Sequence, residues 1–164
     1  MVGFSGVGHV SFSVTDLDRS ERFYKDVFDL IRVMDFGAGR ILLHRQTGFM
    51  FAITTHEDAQ GSPFTELATG LDHLGFSAES RDELVAWEQK LDALGVTYTP
   101  IRDMELGYHL NFRDPDNIAL EINAPNDVLI AWLAEFKERE IPQEEIESRL
   151  GEYLASLASD SGPD

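Results

Sequence analysis

Cysteine is absent from the 164 residues. Disulfides, thiolate nucleophiles and zinc-thiolate sites are thereby excluded, and His, Asp and Glu remain as the side chains able to hold a metal. Cations are scarce too. Thirteen Lys and Arg stand against 30 Asp and Glu, a formal net charge of −17 with an isoelectric point near 4.5. Gripping nucleic acid or an anionic lipid surface depends on Lys and Arg neutralising phosphates, so neither is an expected partner. The charge suits solubility and tolerates, or attracts, a cationic small molecule. No apolar run approaches the roughly 20 residues of a membrane span, and Met1-Val2-Gly3-Phe4 lacks the basic-then-apolar order of a secretion signal. The expected location is the cytoplasm. What remains, 43% hydrophobic and 26% charged residues, is ordinary globular composition, enough for one domain or for two small modules sharing one interior.

What is present is a repeat. Gly6-Val7-Gly8-His9-Val10-Ser11-Phe12-Ser13 recurs as Gly70-Leu71-Asp72-His73-Leu74-Gly75-Phe76-Ser77, at a constant offset of 64 residues. Both copies alternate at the strand period. Val10, Phe12 and Val14 oppose His9, Ser11 and Ser13; Leu74, Phe76 and Ala78 oppose His73, Gly75 and Ser77. A third stretch obeys the same rule, with Ile118, Leu120 and Ile122 opposite Ala119, Glu121 and Asn123. Where helices cover one face of a sheet, the oily side packs beneath them and the other is free to line a cavity. His9, His73 and Glu121 all fall on that freer side. Two imidazoles and one carboxylate converging there would make a facial divalent-metal site with open positions. A lone strand histidine is more often a hydrogen-bonded structural residue, and the pairing of two at symmetry-related places is what favours ligation.

Between these strands, Asp18 with Glu21 three residues on has capping-box spacing for a helix carrying Phe23, Val27, Phe28 and Leu30. Strands are expected over 40–44 and 49–54, separated by Gln46-Thr47-Gly48. The unpatterned stretch 56–69 reads as a connector. In the second half, Ser80 and Glu83 form a capping box for a helix with Leu84, Trp87, Leu91 and Leu94 on one side, closed by Gly95. A short strand over 98–101, a loop over 103–107, a strand over 108–112 and the turn Asp114-Pro115-Asp116-Asn117 lead into the last strand. Asn126 can cap a helix bearing Leu129, Trp132, Leu133 and Phe136, and Pro142 starts another with Ile146, Leu150, Tyr153, Leu154 and Leu157. The reading is thus a domain over 6–125, made of modules about 6–56 and 70–125, a helical extension over 126–158, and a small polar tail over 159–164 expected to be disordered.

The order βαβββ twice, the openings Gly-x-x-His-[Val/Leu]-x-Phe-Ser, and Arg113-Asp114-Pro115-Asp116-Asn117-Ile118-Ala119-Leu120-Glu121 resemble the vicinal oxygen chelate superfamily, which includes glyoxalase I, bleomycin resistance proteins and extradiol dioxygenases. The resemblance implies an α+β fold of two βαβββ modules forming a curled mixed-sheet cup, here with two C-terminal helices. It also implies a divalent ion, Fe(II), Mn(II), Zn(II) or Ni(II), on His9, His73 and Glu121. Ala52 falls where glyoxalase I carries a fourth ligand, so the set matches the three-ligand members. A homodimer is expected, since members often pair so that cups form between chains.

Strand parity ranks the remaining candidates. His109 and Asn111 oppose Leu110 and Phe112 and so point where Glu121 points. His109 is the first choice for an acid or base, because an imidazole near its ordinary pKa of about 6.5 can serve as either. Ser11, Asn111 and, more weakly, Tyr108 are expected to meet substrate; His56 is weaker still. The expected activity is that of a metal-dependent enzyme, dioxygenase-like or glyoxalase-like, on a small oxygen-bearing substrate that chelates the ion. The alternative is a bleomycin-binding type of resistance protein that sequesters an antibiotic without chemistry.

Overall fold

Alternation and capping translate into twelve elements. The structure, a computed structural model, describes Gly3, residues 6–59 and residues 61–160. In chain order these are β1 (His9–Ser13), α1 (Leu17–Phe28), β2 (Ile31–Asp35), β3 (Gly39–Leu43), β4 (Met50–Thr54), β5 (Leu74–Ser77), α2 (Arg81–Leu94), β6 (Arg102–Met104), β7 (Gly107–Arg113), β8 (Ala119–Pro125), α3 (Asp127–Glu138) and α4 (Gln143–Asp160). The duplication is visible in the topology. One sheet has the order β1-β4-β3-β2 and the other β5-β8-β7-β6, with the first strand of each module parallel to its last and the remaining pairs antiparallel. This is the expected α+β arrangement of two βαβββ modules with C-terminal helices. Within one chain the sheets stay separate, and β1 and β5 each stand at an edge. Among the described residues no helix is long and apolar enough to cross a membrane.

Each sheet turns its apolar face to a shared interior. Phe12, Leu42, Phe51 and Ile53 come from the first sheet and Leu110, Phe112, Leu120 and Ile122 from the second, all buried with Leu84 and Leu91 of α2. Helix α1 joins them. Its Tyr24 ring lies 4.3 Å from Phe51 of the first sheet, while Phe28 lies 4.4 Å from Phe76 and 6.1 Å from Phe112 of the second. Burying an aromatic of this size stabilises by about 1.5–3 kcal/mol, so one helix contributes to both halves at once.

Some boundaries differ from the sequence reading. The N-cap of α1 is Asp16, whose carboxylate accepts from the Asp18 and Arg19 amides at 2.9 and 3.0 Å. Asp18 is in the first turn and accepts instead from Arg40 Nη2 at 2.6 Å. The short strand expected over 98–101 is reduced to an isolated bridge from Tyr98 to Phe112. The second strand of this module forms from Arg102 to Met104, running into the expected loop, because its pairing with β7 supplies a register that its own residues do not announce. Helix α4 takes in Ser159 and Asp160, which composition assigned to the tail; residues 161–164 lie outside the described part. The caps Ser80, Gly95 and Asn126 stand where expected.

The extension seats itself on the second module. Asn126 caps α3 by accepting from the Leu129 amide at 3.0 Å and donates to the Glu105 carbonyl, also at 3.0 Å. Tyr153 of α4 donates to that carbonyl at 2.6 Å. Arg139 and Arg149 hold the Glu135 carboxyl down to about 2, Arg149 most strongly. Ile130, Leu133 and Phe136 remain exposed on α3.

The Asp-Pro-Asp-Asn turn fastens the halves together. Asp114, only 5% exposed, accepts from the Asp116 and Ile118 amides at 2.9 and 2.7 Å and from the Tyr24 hydroxyl at 2.8 Å. Asp116 accepts from the Thr15 amide at 3.0 Å and from Arg19 at 2.7 Å. Burial pushes the Asp114 carboxyl above its ordinary range, against the pull of its three donors. Burial and the facing carboxylate push the Tyr24 phenol well above its own. The proton therefore stays on Tyr24, the donor that a buried carboxylate oxygen needs. Tyr24→Phe leaves that oxygen without a partner, at a cost of about 1–3 kcal/mol. The expected result is a fall in Tm of about 3–10 °C; an unchanged melting curve would show that the clasp carries no stability.

Candidate functional site

The face of the second sheet turned away from the helices gathers polar residues by register. Asn111 stands opposite Glu121 and His109 opposite Asn123 on β7 and β8, while Gly75 of β5 stands beside Glu121. Glu121 is 7% exposed. Its Oε2 accepts from His109 Nδ1 at 2.8 Å and its Oε1 from Asn123 Nδ2 at 3.1 Å. A carboxylate only accepts, so the imidazole carries a proton on Nδ1, and in its neutral form keeps its lone pair on Nε2. Gly75 makes room for this arrangement. A Cβ there would lie 2.8 Å from Asn123 Nδ2 and 3.4 Å from Glu121 Oε1.

Parity had marked Asn123 as facing with Glu121 without giving it a role, and nothing local singled out Gly75. The available signal was the i+2 spacing from Glu121, and a glycine inside an otherwise apolar strand, which often marks a close approach. Arg102 of β6 stands opposite His109. Arg113 is engaged, donating to both Glu66 oxygens at 3.0 and 2.7 Å.

The other candidates are distributed as follows. His73 immediately precedes β5 and places its Nδ1 2.6 Å from the Asp72 carboxylate, which fixes the ring's orientation. Tyr108 lies on the opposite face of β7, paired with buried Ala124 and packed against the core beneath the Arg81 guanidinium. The strand's alternation thus keeps it away from Glu121. His9 and Ser11 belong to the other sheet, exposed on β1 opposite Met50 and Ala52. Their face differs in character, for Met34, Phe36 and Met50 all stand exposed.

One chain therefore does not assemble the ligand set. Among the described residues no three His, Cys, Asp or Glu side chains come together in a group able to hold a metal ion. The cause is in the core. Because α1 packs against the apolar faces of both sheets, the opposite faces, with His9 on one and Glu121 on the other, look away from each other. The second sheet alone offers Glu121, oriented by two donors, with His73 just before the strand beside it.

Comparison with known proteins follows this geometry. The sequence profile of the Glyoxalase/Bleomycin resistance protein/Dioxygenase superfamily matches residues 6–122. Metallothiol transferase FosB of Bacillus licheniformis is 31% identical over 120 residues, which cover 72% of this chain and 74% of the relative. The crystal structure of a glyoxylase/bleomycin resistance protein/dioxygenase domain from Frankia sp. superposes with a TM-score of 0.69 at 34% identity, covering 76% of this chain and 100% of that one. The fosfomycin resistance protein FosX of Listeria monocytogenes, crystallised with Mn(II) and dihydroxypropylphosphonic acid, shares the fold with a TM-score of 0.59 at 23% identity, covering 77% of this chain and 95% of that one. The chain belongs to the Glyoxalase/Bleomycin resistance protein/Dioxygenase superfamily.

Proposed function

We propose that the protein is a divalent-metal-dependent enzyme acting inside the cell on a small oxygen-bearing molecule, and that its site is completed between two copies of the chain. The observation that carries the reading is Glu121, a buried carboxylate held by His109 and Asn123 beside a glycine on an open sheet face. Holding a carboxylate in one orientation is what a ligand needs from its neighbours. Because His9 lies on a face directed away from Glu121, a second copy is the source of the missing imidazole. The exposed apolar surface around Met34, Phe36 and Met50, together with the open edges of β1 and β5, offers that copy something to cover.

A bound divalent ion supplies Lewis-acid polarisation of a substrate oxygen. Around it, Asp72 orients His73, and Asn123 and His109 orient Glu121. Arg102, Asn111 and Ser11 are the polar side chains placed to meet substrate, and His109 Nε2 is the proton acceptor. Relatives named as a thiol transferase and as a fosfomycin resistance protein crystallised with Mn(II) favour redox-neutral addition or hydrolysis over oxygen activation.

Three outcomes test this. Metal-stripped protein titrated with Mn(II) is expected to bind one ion per chain, and His9→Ala and Glu121→Ala are each expected to weaken binding at least about 100-fold. Mixing the two variants after dissociation restores one intact site in each mixed pair; a mixture as inert as its components would exclude a shared site. Gly75→Ala, which displaces the Asn123 amide, is expected to weaken Mn(II) binding about 10-fold with little change in Tm. An undisturbed affinity would remove Asn123 from the account.

Finally, screens pairing small epoxides with a thiol or water should give equal turnover in air and under nitrogen. Catechol-dependent oxygen uptake would overturn the redox-neutral reading. Tight binding of bleomycin by the metal-free protein, with no turnover of any substrate, would return the sequestering alternative.

A further inference from the structure

The duplication gives the molecule two equivalent corners, and among the described residues only one of them takes a ring from the protein's own connector. Aligning Phe49-Met50-Phe51-Ala52 with Ile118-Ala119-Leu120-Glu121 makes the β3–β4 turn the counterpart of the β7–β8 turn. The backbone agrees, since Gly48 (φ 72°) and Asn117 (φ 68°) are both left-handed at matching places. Each turn meets the first strand of the other module. In one corner Phe12 and Ser13 of β1 face Asp116 and Ile118. In the other, Phe76 and Ser77 of β5 face Thr47 and Phe49.

The first corner receives an aromatic ring from the connector. Phe64 packs against the core there; its amide donates to the Asp116 carbonyl at 2.9 Å and its carbonyl accepts from Asn117 Nδ2 at 2.8 Å. The first corner keeps a recess of about 290 Å³ beside that ring, while the second corner has no such insert among its lining residues. It is a recess of about 360 Å³, within the range of small-molecule sites. Its walls are the rings of Phe28, Phe49, Phe76 and Trp87. They are already set at aromatic packing distances from one another, 5.8 Å from Phe49 to Phe76 and 5.6 Å from Phe28 to Trp87.

A polar group stands beside these rings: His44, with its Nδ1 2.8 Å from Thr47 Oγ1. Asp29 is tied to Lys90 at 2.6 Å, and that ammonium lies 5.3 Å from the Trp87 ring centre. The carboxylate at the wall and the chain's net charge of −17 disfavour an anionic guest.

We propose that this second corner is a binding site, separate from the metal-ligand residues, for a small uncharged planar aromatic molecule bearing one hydroxyl. Its ring is seated as Phe64 is seated in the sister corner. His44 takes the hydroxyl, and the aromatic walls take the ring in edge and offset contacts.

The test uses the full chain and 2-naphthol. The protein has two tryptophans, so Trp132→Phe leaves Trp87 as the sole indole reporter. Calorimetry is expected to show saturable binding of one molecule per chain with a Kd of about 100 μM or tighter, and Trp87 emission is expected to change along the same isotherm. Thr47→Trp places a ring in the recess, and His44→Ala removes the hydroxyl's partner; each is expected to weaken binding at least about 10-fold. Should Thr47→Trp fail to fold, His44→Ala decides alone. No saturation up to about 1 mM, or wild-type affinity in the folded variants, overturns the proposal.

Discussion

The Tyr24 hydroxyl reaching Asp114 is the constraint on which the rest of this structure depends. It runs from the helix of one repeat to the turn of the other, deep enough that water cannot substitute for either partner. Asp114 also organises its own turn through two backbone amides, so the bond that joins the repeats shapes the loop delivering β8. Phe28, one turn further along the same helix, packs against β5 and β7. A polar fastening and an apolar one therefore act from a single helix, and together they set the repeats with their oily faces inward.

That orientation decides what the site can be. Once the apolar faces share an interior, the polar faces point outward and apart, and a residue on one cannot cooperate with a residue on the other inside the same chain. The two open faces have diverged accordingly. The second carries Glu121 with its supporting imidazole and amide, and the first carries a histidine among methionines and a phenylalanine. Duplication supplied the same backbone twice; side-chain choice made one copy an oriented carboxylate site and the other an oily surface.

Much of this was legible in the residues. Period-two alternation placed His9, Glu121, His109 and Asn111 on the freer faces because each strand has one side that must be buried, and Ser80, Gly95 and Asn126 announced helix ends through chemistry local to a few residues. Legibility failed where the deciding partner lies far along the chain. Asp16 and Asp18 both suit an N-cap, and Arg40 on β3 draws Asp18 elsewhere. Strand β6 is exposed throughout, so no alternation marks it, and its register comes from β7. Alternation also says which face a residue occupies but not whether two such faces meet, which rests on how Tyr24 and Phe28 dock. Gly75 was silent for a related reason: its meaning is the space it leaves for Asn123 and Glu121 on the adjoining strand.

The unpaired borders of β1 and β5 bear on how growth stops. A chain with open strand margins can join its neighbours in an endless row, or it can close upon a single mate that covers the β1 and β5 margins together. Repulsion among carboxylates mounts with every copy added to a row, whereas a closed couple meets it once. An acidic exterior is in this sense a terminator of polymerisation, favouring the smallest ring over the fibre.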